Sequence, residues 1–239
     1  MHANKSRIWG VIPAAGIGAR MGGDVPKQYL PLAGANVIQH SLRVLLATDC
    51  CQQIVLALHP DDDGHNLGDF AEHPRVLRTS GGAERSDSVL HALQALAGIA
   101  GDEDWVLVHD AARPCVQAQH ILRLVEYTRQ SGCGAILATP VVDTVKRSFD
   151  ERCVTETLDR SELWCAQTPQ CFPLLALRDA LQSARNANIA ITDEASAMEW
   201  AGHPVHLVKG AASNLKITYP EDLALADWYL TQALQASES

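Results

Sequence analysis

The chain has no run approaching the roughly 18 apolar residues of a membrane span. Its start, MHANKSRIWG, lacks the apolar stretch and small-residue site of an export signal. A basic excess is missing too. The 28 acidic and 19 basic side chains leave a formal charge of -9, which gives no electrostatic footprint for gripping nucleic acid or anionic lipid. Seven cysteines occur without C-x-x-C or Cys/His zinc spacing, which disfavours a structural zinc or disulfide framework and suits reduced thiols in a cytoplasmic protein. Ten histidines show no H-x-x-x-H spacing, and no G-x-S-x-G elbow is present, so zinc and serine hydrolase chemistry have no support.

What the chain does have is core material. Apolar residues make up 47% of 239 positions and charged residues 20%, proportions that suit one globular domain over 1–239. Short apolar runs at 8–13, 54–58, 105–108 and 135–137 read as buried parallel strands. Between them Ile38, Leu42, Leu45 and Leu46, then Val89, Leu93 and Leu96, then Ile121, Leu124 and Val125 recur at helical spacing. This alternation predicts an α/β, doubly wound, Rossmann-like and mostly parallel sheet with its ligand beyond the carboxyl ends of the strands. Residues 141–171 break the pattern with alternating polar and β-branched residues and a charged stretch at 143–152, and predict an extended β-arm. Near the end, Thr218 and Glu221 have capping-box spacing around Pro220, ahead of an apolar stripe of Leu223, Ala226 and Leu230.

The stretch 13–27 is the first candidate site. Pro13, Ala14, Ala15 and Gly16 follow a strand, and their small size lets backbone N–H groups approach phosphates. Arg20 adds a bidentate fork and Lys27 a compact charge, able to neutralise a triphosphate and the charge developing at a phosphorus under attack. Met21 stands where a dinucleotide fingerprint needs its third glycine, His59 and Pro60 stand where its acidic residue would be, and no Gly-Lys-Ser/Thr of a P-loop occurs. Asp110 and Arg113 come together in the loop after the third run; Asp110 could equally cap a helix. Ser86 or Asp87 reads as a cap for the second helix and Thr192 as one for a helix over 194–200.

Seven separated motifs occur in order: PAAGIGARM with PKQYL, GGAERSDSV, VHDAARP, DTVKR, the pair LDR and QTPQ, TDEASAMEW, and NLKITYPEDLALA. Together they resemble the 2-C-methyl-D-erythritol 4-phosphate cytidylyltransferases of the non-mevalonate isoprenoid pathway, over nearly the whole chain. The resemblance implies transfer of CMP from CTP to a small polyol phosphate. Arg20, Lys27, Arg160 and Lys216 would be catalytic, and Pro13, Ala14, Ala15, Gly16, Gly82, Ser88 and Ala111 would hold the nucleotide. Asp110, Arg113, Thr144, Arg160, Thr168, Thr192 and Lys216 would hold the acceptor, partly across a homodimer built by the arm. Magnesium or another divalent cation would be carried mainly by the CTP phosphates. Ala83 stands where the family pattern has an Asp able to accept from the base amino group. A ribitol 5-phosphate cytidylyltransferase and a non-catalytic nucleotide-binding module remain open alternatives at this point.

Overall fold

The computed structural model describes residues 6–16 and 25–237. Arg20 and Met21 therefore lie outside the described residues. The main strands are β1 (Ile8–Ala14), β4 (Ile54–Leu58), β5 (Val76–Ser80), β6 (Trp105–Val108), β7 (Gly134–Pro140), β10 (Trp164–Pro173) and β11 (Val205–Lys209). Two small ribbons pair β2 (Pro31–Leu32) with β3 (Ala35–Asn36) and β8 (Lys146–Arg147) with β9 (Glu156–Thr157). The helices are α1 (Val37–Ala47), α2 (Arg85–Ala95), α3 (Ala118–Ser131), α4 (Leu174–Asn186), α5 (Glu194–Trp200) and α6 (Glu221–Ser237).

The seven main strands form one sheet in the order β11-β7-β10-β6-β1-β4-β5, with β10 antiparallel to both neighbours and the other pairings parallel. This is the expected mostly parallel α/β architecture. Side chains alternate across each strand. Ile8, Ile12 and Ala14 of β1 therefore pack with α1 and α3, whereas Trp9 and Val11 face α2, α4 and α5. Both faces are covered, so β4 reads as an unbroken apolar run with all five residues buried.

Three strands of the main sheet escaped the sequence reading. β5 and β11 lie at the two sheet edges and carry exposed polar residues, so they lack a continuous apolar run. β10 lies inside the segment expected to be arm, which corrects the boundary. Only 141–163 leaves the sheet, carrying β8, β9 and a short helical turn at Arg160–Glu162, whereas 164–171 belongs to the sheet. Its polar character misled because Gln167, Thr168 and Gln170 are buried and hydrogen-bonded rather than exposed.

The caps also differ from expectation. Asn36 opens α1 with a reciprocal box to Gln39. Asp193, not Thr192, caps α5 through Ser196. At α2 the Asp87 carboxylate reaches back to the Glu84 N–H, so Asp87 serves from the third helical position. The approach to α6 is held by Asp222, which accepts from the Thr218 and Tyr219 N–H groups; the Thr218 hydroxyl instead donates to Lys216 O.

Candidate active site

The carboxyl ends of β1 and β6 open onto a pocket of about 760 Å³, its open mouth included. Pro13, Ala14, Ala15 and Gly16 form one wall at the end of β1. Gly82 and Ser88 supply a second, Asp110 and Ala111 a third, and Lys27 and Lys216 approach with their charges. These eight of the sequence-predicted nucleotide and phosphate residues, together with Asp110 and Lys216, thus meet at one place although 203 positions separate the first from the last.

Small side chains here are a packing requirement. A Cβ on Gly81 would sit 2.4 Å from the Ala15 Cβ and 2.8 Å from Ser88 Oγ, and one on Gly82 would sit 2.3 Å from the Asp87 Cβ. The turn after β5 is thereby pressed against the end of β1. A Cβ on Gly16 would meet no heavy atom of the described residues within 4 Å. Ser88 Oγ accepts from the Gly82 N–H and donates to Glu84 O, each at 3.1 Å, fixing the loop from the first turns of α2. Buried Gln28 donates to Ala14 O at 2.8 Å and ties the segment bearing Lys27 to the cradle.

Below the cradle runs a chain of charges. One Asp110 oxygen accepts from Arg85 Nε and the other from Lys216 Nζ, both at 2.7 Å. The remaining Arg85 nitrogens grip Glu194 bidentately at 2.7 and 3.0 Å. Burial alone would raise the Asp110 carboxyl, but Arg85 and Lys216 hold it far below the usual carboxylate range. Burial works equally against the charge on Arg85, and the two carboxylates more than offset it. Asp110 is therefore an anion at any working pH. His109 is fully buried, between Thr168 Oγ1 and Arg113 O, and burial lowers it to about 4, so a neutral packing role fits it.

Sequence reasoning missed Arg85 and Glu194 as individuals. Both lay inside quoted motifs, but no spacing tells which cation meets which carboxylate across 109 residues.

Other predicted residues lie outside the pocket lining. Thr168 is buried behind Asp110, accepting its N–H at 3.0 Å. Arg113 turns its guanidinium to the carbonyls of Asn214 and Ala166. Thr192 is exposed ahead of α5. Thr144 and Arg160 are exposed on the excursion between β7 and β10, with Arg160 Nη1 donating to Val142 O.

Comparison with known proteins gives this arrangement a family. A profile of IspD, 2-C-methyl-D-erythritol 4-phosphate cytidylyltransferase, matches residues 8–232. The chain belongs to this family. A Vibrio vulnificus (strain CMCP6) cytidylyltransferase of that name is 47% identical over 232 residues, 97% of this chain and 98% of the relative. One from Shewanella frigidimarina is 48% identical over 232 residues, with 97% and 100% covered. The crystal structure of the Francisella tularensis enzyme has a TM-score of 0.81 at 35% identity, covering 94% of this chain and all of that one.

Cytidylyltransferase chemistry raises the question of a metal. Among the described residues no group of three or more His, Cys, Asp or Glu side chains could hold one. Both oxygens of Asp110, the buried carboxylate of the pocket lining, are engaged by cations. This donor set does not fit a resident hard cation, which takes several carboxylate or carbonyl oxygens.

Proposed function

We infer that the chain transfers CMP from CTP to 2-C-methyl-D-erythritol 4-phosphate, giving 4-diphosphocytidyl-2-C-methyl-D-erythritol and pyrophosphate for isoprenoid precursor synthesis. The observation that carries this reading is the small-residue cradle at the end of β1 with Lys27 and Lys216 converging on it, in a chain of this family.

The acceptor's phosphate monoester is already largely ionised near neutrality, its second pKa being about 6. One of its oxygens attacks the α-phosphorus in line and pyrophosphate leaves, so no strong general base is needed. Backbone N–H groups of 13–16 cradle the nucleotide phosphates, with Gly82, Ser88 and Ala111 holding the nucleoside end. Arg20 and Lys27 neutralise charge developing at phosphorus. Lys216, steadied by Asp110, bridges the α-phosphate and the acceptor. A divalent cation such as magnesium belongs to the substrate, arriving on the triphosphate.

Arg160, Thr144, Arg113, Thr168 and Thr192 complete the acceptor site in this proposal, with Arg160 reaching a neighbouring subunit's pocket. The 141–163 excursion supports such a homodimer, because Val142, Phe149 and Val154 stay 78%, 84% and 62% exposed in the single chain. Among the described residues no helix is long and apolar enough to cross a membrane. All seven cysteines are free, in keeping with a cytoplasmic enzyme.

The deciding experiment measures pyrophosphate release from CTP, UTP and ATP with methylerythritol phosphate, and repeats CTP with ribitol 5-phosphate. Release with CTP and methylerythritol phosphate well above the other pairs is expected. Faster turnover of ribitol phosphate would transfer the acceptor assignment, and CTP binding without release would sink the catalytic one.

A further inference from the structure

The opposite end of the sheet carries a second constellation of reactive groups. Cys50 and Cys51 lie between α1 and β4, with their sulfurs 3.8 Å apart and the Thr48 hydroxyl 3.1 Å from Cys50 Sγ. Cys51 is 3% exposed and packs beneath β1, where the Gly10 site approaches its sulfur. Cys50 is half-buried and opens onto a pocket that also presents Arg7, Arg75 and Arg129.

The charges around this pocket can be followed one by one. Arg7 is engaged by Asp104 and Ile99 O. Arg75 donates to the rim carboxylate of Asp49 and to Cys51 O, while its Nε is buried with no hydrogen-bond partner among the described residues. Arg129, at the end of α3, is exposed beside them. With Arg7 paired to Asp104 and Arg75 to Asp49, Arg129 is the surplus charge among the described residues and leaves the pocket cationic.

We propose that Cys50 is a thiol-exchange site for a small disulfide bearing carboxylates, which dock against Arg75 and Arg129 while Cys51 donates a hydrogen bond to the reacting sulfur. The Cys50 thiolate attacks one sulfur of R–S–S–R. A Cys50–S–S–R bond forms, the R–S–S–R bond breaks, and one R–S⁻ leaves with the electron pair. Cys50 is oxidised and the departing half of the disulfide is reduced, so no other co-reactant is required.

The division of labour between the two sulfurs follows from their burial. Cys51 is almost wholly buried and keeps its proton, so the charge resides on Cys50. The hydrogen bond from Cys51 brings Cys50 down to about 7; burial opposes this, and the Thr48 hydroxyl and Arg129 assist it. The same partnership, with burial and the nearby Cys171, pushes Cys51 up. Low-pKa, accessible thiols of this kind are the ones that exchange.

Cys51 does not go on to displace the adduct. Neighbouring Cα atoms are about 3.8 Å apart across a trans peptide, below the roughly 4.4–6.8 Å that an unstrained disulfide spans. The mixed disulfide is therefore the end product. It sits at the amino end of β1, whose seven residues at about 3.3 Å each separate it from the phosphate cradle.

The test exposes the intact protein near pH 7 to glutathione disulfide or to cystamine, a cationic disulfide, and locates adducts by peptide mass mapping. Exposed Cys153 and Cys165 serve as internal references. Glutathione is expected on Cys50 roughly tenfold faster than on either reference and roughly tenfold faster than cystamine, a preference that shrinks with added salt. Arg129→Gln should reduce that preference several-fold, and Cys50→Ser should abolish the adduct while leaving CMP transfer unchanged. Labelling confined to Cys153 and Cys165, equal rates for both disulfides, or a Cys50–Cys51 disulfide as the product would each overturn the proposal.

Discussion

The pocket at the carboxyl ends of the strands and the 141–163 excursion both carry cationic residues, but they hold them by different means. Beneath the pocket, Glu194, Arg85, Asp110 and Lys216 form a continuous chain in which Glu194 and Asp110 are 1% and 5% exposed. On the excursion the Arg147–Glu156 pair lies half in water, and Arg160 rests on a carbonyl of its own hairpin. Water screens the second set, so such a pair contributes about 1 kcal/mol or less. The buried set positions its members by mutual attraction. The exposed set awaits whatever covers its apolar neighbours.

The largest effect that would test this contrast is Arg85→Met. It leaves Asp110 and Glu194 as buried carboxylates without their shared cation, which costs about 3–5 kcal/mol. Urea denaturation should show a loss of that size, against less than about 1 kcal/mol for Arg147→Met. Similar losses for the two variants would break the comparison.

Lys27→Ala should act on rate rather than stability. The ammonium is half-buried at the pocket's edge, with a long 3.4 Å approach to Ile217 O. Removing one transition-state donor typically lowers turnover by roughly 10²- to 10³-fold. Near-normal pyrophosphate release from a folded Lys27→Ala protein would remove it from the catalytic set.

This contrast also explains what could be read from the sequence. Strands buried on both faces, such as β4, announce themselves as apolar runs, and the cradle announces itself as small residues followed by cations. Edge strands β5 and β11 are half polar and do not. β10 was hidden because its polar residues are buried in hydrogen bonds: Gln170 is 1% exposed, accepts the Ala195 N–H and donates to Asp193 at the start of α5. Arg85 and Glu194 were legible as motif members, but their pairing depends on the sheet order, which local patterns do not encode. The excursion was legible as extended, whereas the acceptor-site role proposed for it depends on a second chain.

Arg160→Ala sharpens that last point with a smaller effect. A hydrogen bond to a charged group is worth about 1.5–3 kcal/mol, so kcat/KM for the acceptor should fall by roughly 10- to 100-fold with CTP binding unchanged. Co-refolding Arg160→Ala with Lys27→Ala should regain activity above either parent, because a mixed dimer has one pocket with both residues intact. Absence of recovery would place Arg160 at its own subunit's pocket, and an undiminished kcat/KM would remove it from the site.

The smallest expected effect is at Ala83, which lies exposed on the pocket lining between Gly82 and Glu84. An Asp here would offer an acceptor to the amino group of cytosine and would face the carbonyl oxygen that uracil has in its place. Solvent limits the gain, so Ala83→Asp should raise the CTP-over-UTP ratio of kcat/KM by about tenfold or less, the range of one hydrogen bond. The new carboxylate also adds negative charge that works against binding either triphosphate, so kcat/KM for UTP should fall while that for CTP, offset by the hydrogen bond, changes little. An unchanged ratio would mean that backbone groups around Gly82 already read the base, and that the walls of the pocket supply nucleotide choice without a side chain at 83.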